Sequence, residues 1–127
     1  MKIGELAALT GVSVRSLRYY ESQGLITPVR QANGYREYSP LAVETVETIK
    51  LYLNLGLSTE QISGFLHCVL KNKESFCAEV MPLYESKLAD IERQLLELNQ
   101  IKHNLEERMA SIIQEQGGNR NGDHSRE

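Results

Sequence analysis

The stretch that decides the reading is Gly11-Val12-Ser13-Val14-Arg15-Ser16-Leu17-Arg18-Tyr19-Tyr20-Glu21-Ser22. Gly11 ends whatever precedes it, and Ser13 can cap a new helix by accepting a free backbone N–H. The spacing predicts a helix over 14–22 that buries Val14, Leu17 and one of the two adjacent tyrosines, with Gly24 near its end. Arg15 and Arg18 are three apart and share a face. Upstream, Ile3, Leu6, Ala7 and Leu9 have the spacing of one face of a short helix that stops at Gly11. Two short helices joined through a glycine-containing turn form a helix-turn-helix pattern.

The chain downstream turns non-helical and then helical again. Pro28 blocks a helix, and Asn33-Gly34 suits a two-residue hairpin turn, so residues 29–38 read as a small β-hairpin. Ser39-Pro40 predicts a third helix, with Ser39 as N-cap and Pro40 at its first position. Val43, Val46, Ile49, Lys50 and Leu53 line one side of it, and Gly56 closes it. Ser58-Thr59-Glu60-Gln61 is a capping box opening a fourth helix with an inner face of Ile62, Phe65, Leu66 and Val69.

The most regular pattern is the last. Tyr84, Leu88, Ile91, Leu95, Leu98, Lys102, Leu105, Met109 and Ile112 alternate spacings of four and three, a heptad seam of about four repeats. Neither Gly nor Pro interrupts it between Leu83 and Gln116, so the helix should be roughly 50 Å long. The preceding helices are too short to cover such a stripe. It asks for a partner, most simply its own copy. Residues 117–127 contain no apolar side chain and read as a disordered tail. The expected organisation is a winged helix-turn-helix head with connecting helices over 1–74, a coiled-coil dimerisation helix over 75–116, and the tail over 117–127.

Composition narrows the function classes. The net charge is −3, yet residues 1–38 set Lys2, Arg15, Arg18, Arg30 and Arg36 against Glu5, Glu21 and Glu37, a local +2. A basic head on an acidic body can still face a polyanion. Nothing is apolar for long enough to span a membrane, and no signal segment opens the chain. Two cysteines, Cys68 and Cys77, give no disulfide framework, and reduced thiols in the cytoplasm are the default expectation. No phosphate-binding glycine loop, His–carboxylate pair or activated nucleophile supports an enzyme; Glu106 and Glu107 point to different faces.

At this point the residues resemble a known family. Ile3-Gly4-Glu5-Leu6-Ala7, Gly11-Val12-Ser13, Leu17-Arg18-Tyr19-Tyr20-Glu21, Gly24-Leu25, Pro28 and Asn33-Gly34-Tyr35-Arg36-Glu37-Tyr38 are similar to the head of the MerR family of transcription regulators. The resemblance implies a mainly α fold: a winged helix-turn-helix, linker helices and a long helix paired in an antiparallel coiled coil. It also implies a homodimer on double-stranded promoter DNA, which it bends and untwists so that RNA polymerase can use it. No cofactor is required. The expected DNA contacts are Ser13, Arg15, Arg18, Tyr19, Tyr20, Tyr35, Arg36 and Tyr38, with Arg15 on base edges and Arg18 and Arg36 on phosphate. One of Tyr19 and Tyr20 should pack in the core, and Tyr38 either packs under the wing or touches DNA. Leu88, Ile91, Leu95, Leu98, Leu105 and Met109 are the expected dimer seam.

The resemblance also points to a sensor. Cys77 falls just before the long helix, at the position of the inducer residue in metal-sensing relatives, so an effector metal or electrophile is expected there. Those relatives supply further cysteines after the long helix, and this chain has none. A metal site would therefore have to borrow Cys68, His67 or His103. Cys68 reads as a buried inert thiol, and His67, His103 and His124 as surface residues. Two rivals remain: an architectural DNA-binding adaptor without an inducer site, and an interaction coiled coil with a vestigial head.

Overall fold

The computed structural model describes residues 1–120. Their order is α1 (Ile3–Thr10), α2 (Val14–Ser22), β1 (Val29–Arg30), β2 (Arg36–Glu37), α3 (Leu41–Asn54), α4 (Thr59–Ser63), α5 (Leu66–Lys71), a 3₁₀ turn (Glu74–Phe76) and α6 (Val80–Arg120). Two compact units result, Met1–Lys87 and the remainder from Leu88.

In the first unit the core gathers Leu6, Leu17, Val46, Ile49 and Ile62, all fully buried, around Tyr20, Tyr38, Tyr52 and Phe65. They come from α1, α2, α3, α4 and the segments around them, so these short elements are stable only packed against one another. Between α1 and α2 the chain turns on Gly11, whose φ of 74° is left-handed and costs a glycine little. Thr10, 3% exposed, seals that turn: its hydroxyl donates to the Leu6 carbonyl at 2.8 Å and accepts from the Val12 N–H at 3.3 Å. Lys50 on α3 donates to the Thr10 carbonyl at 2.7 Å, capping the C-terminal end of α1 with a cation where the helix dipole is negative. Leu9, expected on the inner face of α1, is 58% exposed.

Several expected boundaries are corrected. The hairpin pairs Val29 with Glu37 and Arg30 with Arg36, and Gln31 closes on Tyr35, so residues 32–34 form a three-residue loop rather than a two-residue one. Gln31 N–H donates to Tyr35 O at 2.8 Å and Gly34 N–H to Gln31 O at 2.9 Å, with only Gly34 at positive φ. A two-residue turn of the primed type would need Asn33 there too. Pro40, not Ser39, is the N-cap of α3, and no side chain caps it. The capping box at Ser58 is present in full, but the fourth helix breaks at Gly64-Phe65 into α4 and α5. Ile62, Phe65 and Leu66 are buried as expected, while Val69 is only partly so.

The second unit is a single helical segment. Leu88, Leu95, Leu98, Leu105, Met109 and Ile112 are each at least 50% exposed along it. The helix runs through Gly117 to Arg120, past the expected tail boundary, and the rest of that tail lies outside the described residues. No described helix is long and apolar enough to cross a membrane.

Candidate nucleic-acid interface

Ser13 opens α2 as expected: its hydroxyl oxygen accepts from the Ser16 N–H at 3.1 Å. Because Leu17 and Tyr20 turn inward, Arg15, Arg18, Tyr19 and Ser22 form the solvent stripe at spacings of three, four and seven. The Tyr19 hydroxyl lies 3.4 Å from that of Thr59, which sets the start of α4 beside this stripe.

The wing meets the same face. Arg36 pairs with Glu21 at 3.3 Å, and the Tyr38 hydroxyl donates to the same Glu21 oxygen at 2.8 Å. A cleft of about 310 Å³ is lined by Lys2, Ile3, Arg18, Gly34, Tyr35 and Arg36. Three cations from three separate elements thus converge on one concavity. Lys2 Nζ sits 4.2 Å above the Tyr35 ring, within cation–π range.

The acidic groups nearby are engaged internally. Glu21 serves Arg36 and Tyr38, while Glu37 accepts from the N-terminal ammonium at 2.7 Å. That hydrogen bond, chiefly, holds the Glu37 carboxyl below its ordinary range. Among the described residues no salt bridge occupies Lys2, Arg15 or Arg18. Their charge is left facing solvent. A polyanion is the ligand such a surface suits.

Two expected contacts are accounted for by packing instead. Tyr20 is 6% and Tyr38 2% exposed, so neither ring is available to a ligand as the head stands. Burial raises both phenol pKa values, and for Tyr38 the Glu21 carboxylate adds to it, reaching about 12. Tyr19 and Tyr35 are exposed, at 51% and 59%. Lys2 was missed by sequence reasoning, since only the folded head shows that it stands beside the wing.

The cysteines correct the sequence reading most. Cys68 and Cys77 are joined by a disulfide, with Cα atoms 6.0 Å apart, so neither is the expected reduced thiol. Cys77 is 4% exposed and Cys68 only partly buried. Among the described residues no three His, Cys, Asp or Glu side chains stand together to hold a metal. His67 borders a separate cleft with Leu66 and Leu70, and His103 pairs with Glu107 at 3.3 Å; His124 lies outside the described residues. Nearby, Glu74 accepts the Tyr52 hydroxyl at 2.7 Å and also that of Tyr84, linking α3 to the first turns of α6.

Comparison with known proteins agrees with this geometry. Residues 1–67 match the model for the MerR HTH family regulatory protein. The HTH-type transcriptional regulator HmrR of Rhizobium leguminosarum bv. viciae is 34% identical over 84% of this chain and 81% of its own length. The mercuric resistance operon regulatory protein of Bacillus cereus is 36% identical over 82% of this chain and 79% of its own. Among solved structures, the transcription regulator PbrR691 from Ralstonia metallidurans CH34 in complex with lead(II) aligns with a TM-score of 0.75 at 26% identity, covering 84% of each chain.

Proposed function

We propose, since this chain belongs to the MerR family of HTH regulatory proteins, that it distorts promoter DNA as a homodimer in response to a thiol-reactive or soft-metal effector. That it is a DNA-binding transcription regulator and not an enzyme follows from the family itself. What carries the DNA reading is the group Arg15, Arg18 and Lys2, solvent-facing and free of salt bridges among the described residues, with Arg36 closing the same cleft. In the duplex Arg15, near the helix start, reads base edges in the major groove. Arg18, Tyr19, Lys2, Tyr35 and Arg36 hold phosphates on either side.

The seam of α6 supplies the second half of the mechanism. Six large apolar side chains from Leu88 to Ile112 stand open along one helix, at heptad spacing. A second copy of the chain, laid antiparallel, covers them in register and sets two heads about one DNA turn apart. Bending and untwisting the spacer between the two half-sites then realigns the promoter for RNA polymerase. This work belongs in the cytoplasm, where the DNA is.

The effector reading rests on Cys77 and on relatives. The Bacillus cereus protein is named for a mercuric resistance operon and the Ralstonia regulator is solved with lead(II). Here the donor set is two sulfurs, Cys68 and Cys77, which become soft thiolate ligands only once their bond is reduced. Two donors without a third suit a thiophilic ion of low coordination number or an electrophile, not tetrahedral zinc. The alternative is an architectural DNA-binding adaptor with no inducer. Footprinting on the protein's own upstream region, with and without mercuric ion under reducing conditions, separates them. A footprint that changes with the ion supports the sensor; an identical footprint supports the adaptor; none at all removes the DNA reading.

A further inference from the structure

We propose that Cys68 and Cys77 are a reversible dithiol–disulfide site, exchanging with low-molecular-weight thiols and disulfides, that sets the state of the joint between α3 and α6. The backbones of both cysteines are held by hydrogen bonds that do not depend on the bond between the sulfurs. The Cys77 N–H donates to Glu74 O at 3.0 Å and its carbonyl accepts from Val80 N–H at 3.1 Å. The Cys68 carbonyl accepts from Asn72 N–H at 2.8 Å and from the Asn72 side-chain amide at 3.2 Å. Opening the bond therefore leaves the two thiols facing each other, with Cα atoms at a separation disulfides favour. Such a pair re-forms without rearrangement.

Exposure sets the order of events. Cys68 is a half-buried residue and Cys77 a buried one. In the oxidising direction the Cys68 thiolate attacks one sulfur of an external disulfide RS–SR, forming a Cys68–S–S–R bond and expelling RS⁻. The Cys77 thiolate then attacks the Cys68 sulfur and expels the second RS⁻. Two electrons pass from the cysteines to the external disulfide, and the two thiol protons end on two RSH molecules. Reduction runs the same steps backwards.

The consequence lies in what the closed loop carries. Residues 68–77 include Glu74, the carboxylate that accepts from Tyr52 on α3 and Tyr84 on α6. Closing the loop adds a covalent tie to the segment that carries that carboxylate, and opening it removes the tie while the hydrogen bonds of Glu74 and of the cysteine backbones remain. The disulfide also removes the thiolates, so effector capture requires the reduced state; that last consequence rests on the effector reading, whereas the exchange does not.

The test equilibrates the full-length protein in buffers spanning a wide range of glutathione to glutathione disulfide ratios. It then blocks free thiols with an alkylating agent and counts the labels by mass. The expected result is one two-electron step, from no label to two labels per chain, identical when approached from either side. The Cys77→Ser chain should accumulate a glutathione adduct on Cys68, and the Cys68→Ser chain should remain almost unmodified. Two labels at every ratio, or none at any ratio, would overturn the proposal. A parallel titration with mercuric ion reads the effector separately. Uptake by the reduced protein and its loss on oxidation support the gate. A clear redox step with no uptake in either state keeps the exchange site and removes the effector reading.

Discussion

The Tyr38 hydroxyl donates to the Glu21 carboxylate at 2.8 Å, and through that bond the wing is tied to the helix that presents Arg15 and Arg18. Tyr38 itself is 2% exposed, so the bond is shielded on the tyrosine side. The same carboxylate holds Arg36, which makes Glu21 the point where wing and helix are set relative to each other.

Replacing Tyr38 with Phe removes the hydroxyl and leaves a buried ring of nearly the same shape. We expect a loss of about 1 kcal/mol of stability by urea denaturation, from the missing hydrogen bond. DNA affinity should fall as well, because Arg36 then has less to position it. An unchanged midpoint in urea would show that the wing is held by packing alone.

Alkaline pH should act at the same place. Burial, and then the Glu21 carboxylate, push Tyr38 from 10 up to about 12; burial and then Glu74 do the same for Tyr84. A raised folded-state pKa means the neutral phenol is the form the fold favours. The stabilisation is complete below pH 10 and is lost as pH rises from about 10 through 12. Phenolate absorbance should therefore show tyrosines lagging in the folded protein, and melting temperatures should drop over that window. Tyrosines that all titrate near pH 10 while the protein stays folded would contradict this.

Arg15 and Arg18 share a face but should fail differently. Arg18→Ala should weaken all DNA sequences alike and lower the salt slope of log affinity by about one unit, as loss of one phosphate contact does. Arg15→Ala should cost roughly 1–3 kcal/mol on the operator and relax preference at one base pair, with little loss on unrelated DNA. Titrations on both DNAs at several salt concentrations distinguish the two, and equal effects would undo the assignment.

At Ser58 the prediction is purely structural. Its hydroxyl accepts from Gln61 N–H at 3.1 Å while the Gln61 side chain accepts from Ser58 N–H at 2.9 Å. Ser58→Ala should cost about 1 kcal/mol of thermal stability by calorimetry, since it strips one half of this cap. Because Thr59 abuts Tyr19, a small loss of DNA affinity should accompany it. Wild-type stability would mean the five-residue α4 is held by Ile62 alone.

Much of this was legible in the sequence because short-range rules govern it. Gly11, the Ser13 cap, the Ser58 box and the heptad spacing are local patterns with local causes, and each element they mark is present. The hairpin loop was misjudged by one residue because Asn33-Gly34 is compatible with two loop lengths, and the pairing of Gln31 with Tyr35 decides between them. The break at Gly64-Phe65 and the burial of Tyr52, whose ring on α3 meets that of Phe65, depend on how α4 and α5 pack on α3, which periodicity does not carry. Cys68 with Cys77, and Lys2 beside Tyr35, are meetings across a fold. No spacing rule announces them.

The central claim is that two heads act together on one duplex, joined through the Leu88–Ile112 seam. Sedimentation equilibrium at micromolar protein, with and without an operator duplex, tests it most directly, using Leu95→Asp as the control. The account predicts twice the chain mass in free solution, two chains per duplex in the complex, and a monomeric, weakly binding Leu95→Asp chain. A wild-type monomer that loads singly on DNA, with Leu95→Asp behaving identically, would contradict it.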